Sequence, residues 1–101
     1  MLYGLTDKEY QLITGIFQGW PKVEEVNIFG SRALGTNKAA SDIDLSVKGH
    51  SLSFTDIIML RSALDDLPLA YKYDVIDYAT IKNADLKDHI DRFGILFYSK
   101  E

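Results

Sequence analysis

Cysteine is absent from the 101 residues, which removes disulfide frameworks and thiolate metal centres and leaves no argument for an oxidising compartment. A cytoplasmic location is therefore expected. Proline is scarce, with Pro21 and Pro68 both standing where a helix would have to stop. No apolar run approaches the roughly 20 residues of a membrane-spanning helix. The N-terminal stretch Met1-Leu2-Tyr3-Gly4-Leu5-Thr6-Asp7 lacks the basic and long apolar regions of an export signal, so no targeting segment and no membrane association are expected. Positive charge is in the minority, 11 Lys and Arg against 15 Asp and Glu, and the net charge of −4 disfavours binding nucleic acid through a broad basic face. The two histidines, His50 and His89, have no ligating or base-catalytic pattern around them and are read as structural.

The composition, 47% hydrophobic and 26% charged without low-complexity tracts, is that of an ordinary globular chain. One domain over residues 1–101 is expected, burying about two-thirds of the unfolded chain's surface. Thr6-Asp7-Lys8-Glu9 has the form of a capping box, and Leu12, Ile13, Ile16, Phe17 and Trp20 follow at helical spacing, predicting a helix from Asp7 to Gln18. Trp20-Pro21 halts it, and Val23 to Phe29 reads as a strand ended by Gly30. From Asp42 to Lys48 the chain alternates, with Ile43, Leu45 and Val47 on one face and Asp42, Asp44, Ser46 and Lys48 on the other. A second cap, Ser53 with Asp56, opens a helix carrying Ile57, Leu60, Leu64 and Leu67 and closed by Pro68. Tyr71 to Tyr78 reads as a strand, Leu86, Ile90 and Phe93 mark a last helix, and Ile95 to Tyr98 is a final strand or extended tail. This alternation predicts an α/β fold, a small mixed sheet with helices packed on one side and the polar side free for chemistry.

Chemistry concentrates in Phe29-Gly30-Ser31-Arg32-Ala33-Leu34-Gly35 and Ser41-Asp42-Ile43-Asp44-Leu45. Gly30 allows close backbone approach, and Ser31 can offer its amide and hydroxyl to phosphate oxygens. Arg32 is a candidate phosphate contact, and Lys38 and Lys48 are further cations within possible range of a triphosphate. Residues two apart on a strand project from one face about 6.6 Å apart, so Asp42 and Asp44 can lean toward shared ions. An all-carboxylate set without His or Cys points to Mg²⁺ or Mn²⁺. A third carboxylate is wanted on a neighbouring strand, and Asp74 and Asp77 compete for the place. Three residues apart, they fall on opposite faces of a regular strand; Asp77 lies near the strand end, where capping is a plausible duty, which favours Asp74.

Gly30-Ser31, ten intervening residues and Asp42-Ile43-Asp44 resemble the signature of the nucleotidyltransferase superfamily that includes DNA polymerase beta, and more closely its minimal nucleotidyltransferase branch. The order of elements resembles the family's over nearly the whole chain. The resemblance implies the nucleotidyltransferase fold, two Mg²⁺ ions held by Asp42, Asp44 and Asp74, and NTP phosphates bound by Gly30 and Ser31. It also implies a small helical HEPN protein as partner, in a toxin–antitoxin pair and a possible hetero-oligomer, with AMP moved from ATP to a partner hydroxyl.

Near-matches to other motifs fail on particular residues. Thr36 and Asn37 stand where a Walker A loop needs Lys and Ser/Thr. Val47 and Ser53 replace the glycine and glutamate of a calcium loop, and Phe29-Gly30-Ser31 is no nucleophile elbow. The rivals to protein-directed transfer are a non-catalytic antitoxin acting by stoichiometric contact, and transfer to a small molecule or RNA.

Overall fold

The computed structural model describes residues 2–100. Helix α1 spans Asp7–Gln18, strand β1 Val23–Phe29, the short helix α2 Ser31–Leu34 and strand β2 Ile43–Gly49. Helix α3 spans Phe54–Asp65, strand β3 Tyr73–Asp77, helix α4 Ala84–Phe93 and strand β4 Ile95–Ser99, with a 3-10 turn at Tyr78–Thr80. Both expected capping boxes form. Glu9 N–H donates to Thr6 Oγ1 at 3.1 Å while Thr6 N–H donates to Glu9, and Ser53 and Asp56 repeat the exchange at the start of α3. Helix α2 carries no apolar period and is too short to nucleate alone, so sequence periodicity passes over it.

The strands form a four-stranded mixed sheet in the order β3-β2-β1-β4. Strand β1 runs antiparallel to β2 and β4, while β2 and β3 are parallel, joined by α3 as the crossover. Helices α1 and α3 cover one face. Val26 and Ile28 of β1, Ile43, Leu45 and Val47 of β2, and Tyr73 and Val75 of β3 point into that layer and meet Ile13, Phe17, Ile57, Leu60 and Leu64. Full burial of such side chains contributes about 1.5–3 kcal/mol each, so this layer supplies most of the driving force for sheet formation. Alternation then turns Asp44, Ser46 and Lys48 to the opposite face. Helix α4 touches β1 near Phe29, which is buried although it belongs to that second face. Among the described residues, no helix is long and apolar enough to cross a membrane.

Candidate active site

Strand pairing assembles the site. Phe29 is opposite Asp44, so the Gly30 turn begins beside that aspartate, and on the other side Asp44 is the register partner of Asp74. Neighbouring strands lie about 4.8 Å apart, so Asp44 and Asp74 are adjacent on the polar face. Asp42 stands immediately before β2, exposed, two positions from Asp44. Gly30 has φ +74° and ψ −154°, and a β-carbon there would collide with Asp44 Oδ2. The glycine is thus required twice, by backbone conformation and by the space the carboxylate takes.

The Asp44 carboxyl is pushed up to about 6 from an ordinary 3.8, first by burial and then by the charges of Asp74 and Asp42, with the Arg32 guanidinium pulling the other way. Among the described residues no three Asp, Glu or His side chains already stand as a metal cluster. Asp44 and Asp74 are fixed on adjacent strands with Asp42 just before β2, and carboxylate oxygens are the donor type that a hard divalent ion takes.

The Ser31 amide has no backbone partner among the described residues and remains a donor. Arg32 is placed differently from the expected phosphate contact. Its side chain is 2% exposed, and its guanidinium donates to the carbonyls of Ser41 at 2.8 and 3.2 Å, Tyr3 at 2.9 Å and Ala39 at 3.4 Å. It also lies 5.0 Å from the Tyr71 ring centroid. The planar fork matches a ring of carbonyls that no sequence spacing reveals, and so ties the 35–41 loop to the N-terminal segment. Lys48 is turned to Glu25 at 3.5 Å and to the Tyr78 ring at 4.6 Å, four positions along β2 from Asp44. Lys38 is exposed, with its backbone N–H bound to Ser41 Oγ. Asp77 shares the alternation of Tyr73 and Val75, and its carboxylate accepts from Ala79 N–H at 3.1 Å, so the structure separates it from Asp44.

His89 is the residue the sequence reading overlooked at this site. Its Nε2 accepts the Gly30 N–H at 3.2 Å, and its ring lies 6.2 Å from Phe29 and 5.4 Å from Phe93. No local pattern marks it, because its partner is 59 residues away. A concavity of about 560 Å³ lined by Glu24, Glu25, Lys48, Ser99 and Lys100 lies at the far end of the strands from Gly30. The exposed Asp42 and Asp74 stand at the opposite end.

The family model described as "Polymerase beta, Nucleotidyltransferase" matches residues 11–101. No curated protein matches the chain by sequence. Among solved structures, that of a toxin–antitoxin with AMP-PNP is 24% identical with a TM-score of 0.70, covering 89% of this chain and 73% of that one. The toxin–antitoxin MntA-HepT is 19% identical with a TM-score of 0.69, covering 93% of this chain and 73% of that one. A protein from Sulfolobus solfataricus proposed to be a nucleotidyltransferase is 26% identical with a TM-score of 0.57, covering 90% of this chain and 77% of that one. The two toxin–antitoxin likenesses show a shared fold.

Proposed function

This chain belongs to the polymerase beta nucleotidyltransferase family, and from that premise we propose that it moves AMP from ATP to a hydroxyl of a partner protein, with magnesium, as the antitoxin of a HEPN-type pair. The observation that carries the reading is the adjacency of Gly30, Asp44 and Asp74, which sets a glycine turn beside a pair of carboxylates. The structure determined with AMP-PNP supports an adenine nucleotide as donor, and the toxin–antitoxin neighbours support a protein partner. A carboxylate end open to solvent suits an acceptor presented by another macromolecule.

Each residue then has a task. The Ser31 amide and hydroxyl bind the β- and γ-phosphates, with Gly30 keeping the backbone close. Asp42, Asp44 and Asp74 would hold the divalent ions; when bound, these supply charge stabilisation for the attacking and leaving oxygens. Asp74, the exposed member of the pair, takes the proton of the acceptor hydroxyl. The acceptor oxygen bonds to the α-phosphorus, the bond from that phosphorus to the bridging oxygen of the β-phosphate breaks, and pyrophosphate leaves with its electron pair.

The test is incubation with α-labelled ATP, Mg²⁺ and the protein encoded by the neighbouring reading frame. Label should pass to that neighbour, and Asp44→Asn should abolish transfer. Transfer that survives the substitution contradicts the mechanism. Neutralisation of the neighbour at a fixed molar ratio, independent of ATP, Asp42 and Asp44, selects the stoichiometric antitoxin instead.

A further inference from the structure

Helix α4 reaches across the Phe29 end of the sheet and places one imidazole against the turn. The Gly30 N–H donates to His89 Nε2 at 3.2 Å, while the ring is flanked by Phe29 at 6.2 Å and Phe93 at 5.4 Å. Gly30 needs such an anchor. At φ +74° and ψ −154° it occupies a region open essentially to glycine alone, and glycine is also the residue freest to leave it. Release of the Phe29–Gly30 peptide would free the Gly30 φ torsion, and a change in that torsion re-aims the following Ser31 amide, which has no backbone partner among the described residues. Helical packing holds the imidazole, and the imidazole holds the peptide. The side chain therefore acts on the turn from outside the carboxylate cluster.

We propose that His89 is a positioning residue for the nucleotide site, holding the Gly30 peptide so that the Ser31 amide is aimed at the donor's phosphates before the nucleotide arrives. The assignment rests on the nucleotidyl-transfer reading for its purpose, and on the Gly30 hydrogen bond alone for its geometry. Preorganisation of this kind strengthens binding by removing an ordering cost. His89 touches the turn and not the reacting atoms, so its loss falls on nucleotide binding more than on the chemical step.

Two variants separate the hydrogen bond from the packing. His89→Phe keeps a ring between Phe29 and Phe93 but has no acceptor; His89→Gln keeps an acceptor at similar reach without the ring. KM for ATP should rise about three- to tenfold in His89→Phe, the range one lost hydrogen bond is worth, with kcat changed less, and His89→Gln should recover most of the loss. In nucleotide-free protein labelled with ¹⁵N, the Gly30 amide should be protected from solvent exchange, and exchange should quicken in His89→Phe and slow again in His89→Gln. An unprotected Gly30 amide in the wild type overturns the proposal even if neither variant folds. So does a His89→Phe variant with the wild-type KM, or a Gln variant as impaired as the Phe variant. If Gly30 behaves as described but the wild type binds no ATP, the nucleotidyl-transfer reading fails and the His89 lock stands as a purely structural feature.

Discussion

Gly30 and Asp44 compete for one small volume: a β-carbon on the glycine would overlap the aspartate's Oδ2. Gly30→Ala must therefore displace the carboxylate or abandon the left-handed backbone. Either way the turn and the carboxylate no longer fit together. Stability should fall by about 1–3 kcal/mol, the usual strain at such a backbone position, and transfer should fall by at least about a hundredfold because small misplacements are costly in catalysis. Urea denaturation and transfer rates measured on the same variant check both halves.

Asp44 carries a pH signature. Its carboxyl titrates at about 6 in the fold against 3.8 ordinarily, so the folded protein holds that proton more tightly than the unfolded chain. As pH rises through that window the native advantage is lost, and above the folded value the penalty is complete. Glu9 and Asp56 act in the opposite sense: cap hydrogen bonds from the Thr6 and Ser53 backbones lower them, so their contribution disappears as pH falls. The diagnostic is thus the difference between wild type and Asp44→Asn. Without metal near pH 7.5 the variant should be the more stable by about 1 kcal/mol, a figure discounted from the full shift because the carboxyl is partly exposed. Near pH 5 the gap should shrink, and saturating Mg²⁺ should reverse it. Thermal melts across pH decide this; a variant less stable than wild type near pH 7.5 in metal-free buffer would count against it.

Asp74 and Asp77 should separate cleanly. Asp74→Asn is expected to lower kcat by at least about a hundredfold with little change in melting temperature, because the proposal makes its carboxylate the base and the exposed side chain has no hydrogen-bond partner among the described residues. Asp77→Ala removes the acceptor that caps Ala79 N–H, so it should cost roughly 0.5–1 kcal/mol while leaving transfer near the wild-type rate. Reversed assignments would emerge directly from paired kinetic and melting measurements.

Arg32→Ala should destabilise by about 3 kcal/mol, because charge-assisted hydrogen bonds to the carbonyls of Tyr3, Ala39 and Ser41 vanish together from a buried site. Arg32→Lys should recover only a minor part, since one ammonium cannot span the carbonyls that a guanidinium fork reaches. Equilibrium unfolding in urea measures this. A side chain engaged mainly with phosphate would give the opposite pattern, unchanged stability and a raised KM for ATP.

Local chemistry left a legible record wherever the partners lie close in sequence. The capping boxes at Thr6 and Ser53, the alternation from Ile43 to Lys48 and the helical stripes of α1 and α3 depend on neighbours within a few residues. The same holds for the Gly30-Ser31 and Asp42-x-Asp44 pattern. What sequence could not display were groups whose partners arrive from afar. In the sequence Arg32 reads as a phosphate contact because the carbonyl of Tyr3 is 29 residues away, and His89 shows no partner because Gly30 is 59 residues away.

Sequence by itself thus determined the α/β order, the apolar face and the Gly30-Ser31 and Asp42-x-Asp44 pattern of the nucleotidyltransferase family, since side-chain period and residue type are local properties. Tertiary structure alone decided that Asp74 lies in register beside Asp44, that Arg32 is spent on holding a loop, and that an imidazole from α4 meets the Gly30 turn. Strand register and helix docking bring those groups together, and both are set by how the whole apolar core packs.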